Sequence, residues 1–228
     1  MRVVIAGAGK VGRSIAVELL GNGHDVLLID KDSQIIELNL IPQAETLLAD
    51  ACEIDSLTQA DLPNCQVVIA ATGDDKTNLV VSLLAKTEYG VPRVVARVNH
   101  PKNEWMFDES WGVDVAVSTP RMLSALVEEA VTVGDLVRLF SLRQGEASLV
   151  ELTLPSHSEL EGRRTDDVSW PQDTALVAIV RGTRVISPEP DDALESGDEL
   201  LFVCSPEQEE ALEQLLAPGH PHRQVEGA

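Results

Sequence analysis

The stretch VVIAGAGKVGRSIAVELL, residues 3–20, decides how the first half of this chain folds. A short apolar run, RVVIA at 2–6, breaks into glycines. An unbroken apolar run of that length, stopped by glycine, reads as a strand buried on both faces. Past the glycines, Val11, Ile15 and Leu19 recur every four positions, which puts them on one face of a helix. Gly7, Gly9 and Gly12 therefore form a G-x-G-x-x-G pattern between a strand and a helix. Each glycine has a task there: Gly7 allows the tight turn, Gly9 lets the main chain approach a pyrophosphate, and Gly12 lets the helix pack close to the sheet. The helix N-terminus offers free N–H groups and a partial positive charge to the anion, with Ala8, Lys10 and Val11 in the same loop.

Outward from this unit the pattern repeats. Strands are expected at 25–30, 45–50, 66–72, 93–98 and 114–117, with helices at 53–60, 75–87 and 102–110. Alternating strands and helices imply right-handed βαβ units, and so an α/β fold with a Rossmann-like, doubly wound parallel sheet. Ligands of such sheets bind at the C-terminal ends of the strands. Asp30 ends the second strand, eighteen positions after Gly12, with Lys31 beside it. An acid there accepts ribose hydroxyls and repels a 2′-phosphate, so the pocket is expected to prefer NAD or an adenosine nucleotide over NADP. Asp50 and Ala51 end the third strand, where an adenine would sit. Thr72 and Gly73 end the fourth, and Asp74 and Asn78 open the next helix. Asp74 serves equally as a plain helix cap. Arg97, ending the fifth strand, reaches a phosphate or pairs with an acid. Lys10 meets a terminal phosphate or points into water.

Composition bounds the function. The chain has 228 residues, 44% of them hydrophobic, enough for a large domain or two modest ones. The net charge of −21 argues against nucleic acid and against direct docking on an anionic membrane. No apolar run approaches the roughly 18 residues that would span a bilayer. Glycines interrupt the N-terminus where a signal peptide would continue, so a cytosolic chain is expected. Cys52, Cys65 and Cys204 lack metal or redox spacing and are expected to be reduced core residues.

A dehydrogenase needs a proton donor or acceptor near the nicotinamide. Of the five histidines only His100 lies near the binding edge. His24 precedes the second strand, His157 belongs to the second half, and His220 and His222 lie in the polar tail. Neither a nucleophile elbow nor a Walker lysine occurs.

The second half changes in kind. Strands are expected at 148–154, 174–181, 183–187 and 198–204, and a helix at 206–216, which makes a small α+β module. Between the halves, Met122, Leu123, Leu126, Val127, Ala130 and Val131 form an apolar helical stripe, expected to continue through Leu136, Val137, Leu139 and Phe140. A stripe that leaves its own domain reads as a contact with a partner subunit, the alternative being that it packs back on its own sheet. The expected organisation is a nucleotide-binding domain at 1–118, a crossover helix and hinge at 119–140, a C-terminal domain at 141–216 and a disordered tail at 217–228.

These pieces resemble the RCK proteins, the TrkA/KtrA-type subunits of bacterial potassium uptake systems. The resemblance covers about 1–216. It rests on the glycine stretch, VLLIDKD, VVIAATGDDKTNLVVSLLAK and ARVNHPKNEWMFDESWGVDVAVSTP, and then on SLVELTLPSHSELEGRRTDDV and ALVAIVRGTRVISPEPDDALESGDELLFVCSP. It implies a regulatory subunit rather than an enzyme. Such a subunit binds NAD(H), ATP or ADP, self-associates into dimers and rings, and gates potassium flow through a TrkH/KtrB-type membrane subunit. It would lie in the cytoplasm, held at the inner face of the membrane by that partner. A second RCK subunit in the ring, and a cyclic dinucleotide on the C-terminal module near Arg163, Arg164, Arg181 and Arg184, are further partners the resemblance admits. By the same resemblance Gly7 to Gly12 cradle phosphates, Asp30 holds ribose, Asp50 lies by the adenosine, Thr72 and Gly73 line the pocket and Arg97 approaches the phosphates. Some KtrA-type members carry a metal-holding glutamate where this chain has Ser118-Thr119-Pro120, so no metal is expected. The rival readings are a small NAD-dependent oxidoreductase and a nucleotide-binding assembly module without a channel.

Overall fold

The computed structural model describes residues 1–37, 41–131, 134–142 and 147–216. The chain divides into two compact units between Arg121 and Met122.

In the first unit, strand β1 (Arg2–Ala6) turns Val3 and Ile5 into one core and Val4 and Ala6 into another. A strand apolar on both faces of its pleat needs cover on both sides, and helices supply it. Helix α1 (Lys10–Gly21) brings Ile15, Ala16 and Leu19 to the Ile5 side. A short helix α2 (Ser33–Glu37), not foreseen from the sequence, adds Ile35 and Ile36 there. Helices α3 (Ile54–Gln59) and α4 (Asp75–Thr87) bring Leu57, Leu79, Val81 and Ala85 to the Val4 side.

The other strands are β2 (Asp25–Asp30), β3 (Glu45–Leu48), β4 (Val67–Ala70), β5 (Arg93–Val98) and β6 (Val115–Ser118). All pairings are parallel, in the order β3-β2-β1-β4-β5-β6. The sheet grows outward in one direction from β1 and in the other from β4. The crevice between β1 and β4 is thus the topological switch point where such sheets take ligands. Instead of a helix at 102–110 the chain makes two 3₁₀ turns, Pro101–Met106 and Glu109–Trp111. The residue before Pro101 is disfavoured in helical conformation, and His100 is extended (φ −113°, ψ 117°).

Helix α5 (Thr119–Val131) leaves the first unit. Leu123, Leu126 and Val127 are more than half exposed on it. The side chains of Ala130 and Val131 lie outside the described residues. The stripe does not continue as helix. Gly134 takes φ +94°, and residues 137–142 form strand β7 (Val137–Leu142). The second sheet therefore starts inside the stretch 119–140 that the sequence reading gave to a crossover helix and hinge. Alternating exposure from Val137 to Phe140 suits a strand, and β7 is stabilised by pairing with β8, which local sequence does not display.

The second unit is an antiparallel sheet, β10-β9-β11-β8-β7. Its remaining strands are β8 (Ala147–Thr153), β9 (Thr174–Arg181), β10 (Arg184–Ile186) and β11 (Glu199–Cys204), followed by helix α6 (Glu209–Leu216). Leu152, Ile179, Leu200, Phe202 and Leu212 are fully buried in its core. Arg181 ties the end of β9 to the segment before β11. Arg181 Nε and Nη2 donate to the two carboxylate oxygens of buried Asp198 at 2.7 and 2.8 Å. Nη2 also donates to the Ala193 carbonyl at 2.8 Å, and Nη1 to the Glu195 carboxylate. These bonds, those to Asp198 foremost, hold the guanidinium charged. Arg164 pairs with Asp166 at 3.0 Å, and Arg163 reaches the Asp167 carbonyl. Three of the four arginines named for a cyclic dinucleotide are thus bound within the module itself. The tail at 217–228 lies outside the described residues.

Candidate functional site

The glycine loop is built by close contact. Gly7 takes φ +104°, a conformation that side chains disfavour, and a Cβ on it would stand 2.9 Å from the main chain of Ala71 and Thr72. At Gly12 a Cβ would stand 1.8 Å from the Gly7 carbonyl oxygen and 3.4 Å from the Ile5 side chain. Both positions exclude any other residue for reasons inside the protein. Gly9 differs: a Cβ there meets no protein atom within 4 Å. It is the N-terminal cap of α1, and no side chain caps that end. The first-turn N–H groups lack intrahelical acceptors, and the space in front of them is open.

That space is a cleft of about 590 Å³ at the switch point. Gly7, Gly9, Lys10 and Val11 line it from the loop, and Asp30 and Lys31 from the end of β2. Asp50 and Ala51 line it from the turn just past β3, Thr72, Gly73 and Asp74 from the turn past β4, and Arg97 from β5. Of the residues singled out in the sequence, Ala8, Gly12 and Asn78 do not line it. All three are buried, Ala8 and Gly12 beneath the loop. Ile29, Ile35, Ala49, Ala71 and Thr77 also line the cleft and were not singled out. Ile35 was missed because α2 has only five residues, too few to show a period. Thr77 has a visible signal: it stands three residues after a capping acid. His100 does not line the cleft.

The polar groups have distinct states. Asp30 Oδ2 accepts the main-chain N–H of Ala8 at 2.8 Å, and Oδ1 that of Asp32 at 3.0 Å. Asp74 does cap α4, accepting the Thr77 N–H at 2.8 Å, and that bond holds its carboxyl below the usual value. Asn78, fully buried, accepts from Thr72 N at 2.9 Å and Thr72 Oγ1 at 2.7 Å, and donates to the Arg97 carbonyl at 2.8 Å. Arg97 Nε is buried and has no hydrogen-bond partner. Lys31 and Asp50 face each other at 3.7 Å across an exposed rim, a pair worth little in water. Cys52, beside Asp50, is half-buried. Burial, and then the Asp50 charge, push its thiol up, so it is no nucleophile. Among the described residues no group of three or more His, Cys, Asp or Glu side chains could hold a metal ion. Among them, too, no helix is long and apolar enough to cross a membrane.

Sheet order, glycine loop and cleft together define a Rossmann-fold protein carrying an antiparallel C-terminal module. Residues 3–119 match the TrkA-N domain family, and residues 149–217 match the TrkA-C domain family. The chain belongs to the TrkA family of potassium uptake proteins. It is 57% identical over 218 residues to the Trk system potassium uptake protein TrkA of Mycobacterium tuberculosis, covering 96% of this chain and 99% of that one. It is 33% identical over 202 residues to a TrkA homolog of Methanothermobacter thermautotrophicus, covering 86% and 90%. Among solved structures, the GsuK channel bound to NAD has the same fold, with a TM-score of 0.67 and 17% identity. That match covers 96% of this chain and 40% of the channel chain.

Proposed function

We propose that this chain is a nucleotide-reading regulatory subunit of a potassium uptake system. The cleft holds NAD(H) or an adenine nucleotide, and its occupancy biases an assembly that acts on a membrane-spanning potassium transporter. The observation that carries the reading is the pairing of Gly9 with Arg97. One leaves open space before the helix N-terminus, and the other brings a buried, unpartnered N–H to the same cleft. A phosphate satisfies both, since helix N-termini and arginine both suit an anion of that shape.

In this reading the Gly7–Gly12 loop cradles the phosphates, Asp30 accepts ribose hydroxyls, Asp50 and Ala51 lie by the adenosine, and Arg97 neutralises phosphate charge. Lys10 stands at the mouth for a terminal phosphate. The ligand is read rather than consumed. Among the described residues the cleft lining offers no histidine, and its one acid bonded to a neighbouring helix, Asp74, is spent as a cap. The TrkA relatives are named as potassium uptake proteins, and a channel of the same fold was solved with NAD, which agrees with this reading.

The mechanism is linkage. A ligand that prefers one conformation shifts the equilibrium by its differential affinity, typically about 1–3 kcal/mol per coupling. Subunits in a ring add their biases, and the exposed α5 stripe offers a surface for that association. The family implies residence at the inner face of the membrane through the partner.

Calorimetric titration of the purified chain with NAD, NADH, NADP, ATP and ADP tests the reading. Saturable binding of NAD(H) or an adenine nucleotide, with NADP weaker, is expected. Failure of all five to bind would sink it, and steady redox turnover of NADH with a substrate would favour an oxidoreductase instead.

A further inference from the structure

Next to the cleft but outside its lining sits Asp75, a carboxylate only 7% exposed. It opens α4 directly after the Asp74 cap. Four N–H donors converge on it. Oδ1 accepts the main-chain N–H of Asn99 at 2.6 Å and the Asn99 side-chain amide at 3.0 Å. Oδ2 accepts the main-chain N–H of His100 at 3.0 Å and the Asn103 side-chain amide at 2.8 Å. Burial opposes the charge, but the bonds from Asn99, Asn103 and His100 outweigh it and hold the carboxyl below its ordinary value.

The same Asn99 amide nitrogen also donates to the Thr72 carbonyl at 3.0 Å. Thr72 and Arg97 both line the cleft, and Asn78 ties their two carbonyls together at 3.2 and 2.8 Å. Asp75 thus stands at the root of a frame that runs through Asn99 to the wall of the cleft carrying the unpartnered Arg97 Nε. A plain helix-dipole role would explain an acid in the first turn of α4. It would not explain why all four donors come from Asn99 to Asn103, or why one of them also reaches the cleft wall. Every group that meets Asp75 is a donor, so an amide of the same shape would turn N–H groups against N–H groups.

We propose that Asp75 is a positioning residue of the nucleotide site, setting Asn99 and through it the Thr72–Arg97 wall that receives phosphate. The inference rests on the nucleotide reading of the cleft. Its signature is selective: ligands with phosphates need that wall, whereas adenosine alone uses the Asp30–Asp50 end.

The test uses the full chain with ADP, followed by calorimetry, and adenosine, followed by ligand-detected NMR, with thermal unfolding recorded for each variant. Asp75→Asn is expected to weaken ADP at least tenfold and adenosine less than twofold. Adding Asp75→Asn to Arg97→Gln is expected to cause little further loss of ADP. Equal losses for both ligands, or a folded variant that binds ADP as the wild type does, would overturn the proposal. If Asp75→Asn does not fold, Asn99→Ala keeps the Asn103, His100 and main-chain Asn99 bonds to Asp75 and removes the one amide that joins Asp75 Oδ1 to the Thr72 carbonyl. The same ADP-selective loss is expected there, and unchanged ADP affinity overturns the proposal. A wild-type chain that binds neither probe defeats the nucleotide reading itself, which separates that failure from a failure of Asp75.

Discussion

The Asp30 carboxylate holds the main-chain N–H of Ala8 at 2.8 Å, which ties the end of β2 to the glycine loop between β1 and α1. With the Asp32 N–H on its other oxygen, each oxygen keeps a second lone pair for a ribose hydroxyl. In the proposed nucleotide reading, one residue therefore shapes the phosphate loop and offers the sugar its acceptors. Asp30→Ala removes both, and charge-assisted bonds of this kind are worth roughly 1.5–3 kcal/mol each. NAD(H) and ADP affinity should fall at least tenfold, and the preference for NAD over NADP should shrink. Calorimetry with the three ligands checks this, and unchanged affinity would remove Asp30 from the site.

The glycines should separate into two kinds. Gly12→Ala puts a Cβ 1.8 Å from the Gly7 carbonyl, a main-chain atom that cannot step aside cheaply. Overpacking of that severity should cost about 3 kcal/mol or more. Gly9→Ala meets no neighbouring element and should lose only the better helix cap, about 1 kcal/mol or less, while binding nucleotide more weakly. Paired thermal and titration measurements distinguish them. A Gly9→Ala as destabilised as Gly12→Ala, or one that binds normally, contradicts the open-space argument.

Lys10 is exposed at the cleft and directly follows the Gly9 cap. An ammonium acts on phosphate as a point charge, so its effect should be salt-sensitive. Lys10→Ala should weaken ATP more than NAD(H), and the gap should narrow as salt rises. If, as the family resemblance implies, Ser118-Thr119-Pro120 replaces a metal-holding acid, ATP affinity should change little with magnesium. Equal, small losses for every ligand would place Lys10 in solvent and leave phosphate recognition to the main chain.

Leu123, Leu126 and Val127 expose 63%, 51% and 55% of their surface on one helix. Burying a large aliphatic side chain is worth roughly 1.5–3 kcal/mol, so a second copy of the chain would gain by covering this stripe. Leu126→Glu should give smaller particles in light scattering, or insoluble protein. A wild-type chain that runs as a compact monomer at micromolar concentration refutes the idea.

The first sheet was legible because its signals are local. Strands buried on both faces appear as apolar runs, helices as a four-residue recurrence, and the loop between β1 and α1 as glycines at fixed offsets. Twelve of the fifteen residues named from that pattern line one cleft. Ala8 and Gly12 support the loop from beneath, and Asn78 bonds the Thr72 and Arg97 main chain. The strand ends were read too long at β3 and β4, because apolar character outlasts the hydrogen-bonded ladder.

Tertiary structure decided the rest. VRLFSL at 137–142 reads equally as the end of a helical stripe, and its pairing with β8 made it a strand. Arg181 reads as a free cation until folding sets Asp198, seventeen positions away, against both arms of its guanidinium. Asp75 and Asn99 are twenty-four positions apart and share no spacing that marks them as partners. They meet because β4 and β5 lie side by side in parallel, so the start of α4 and the residues just past β5 come to the same edge of the sheet. Periodicity records which face of an element is buried. The hydrogen bonds that aim a side chain depend on which elements become neighbours, and that is determined only when the sheet has assembled.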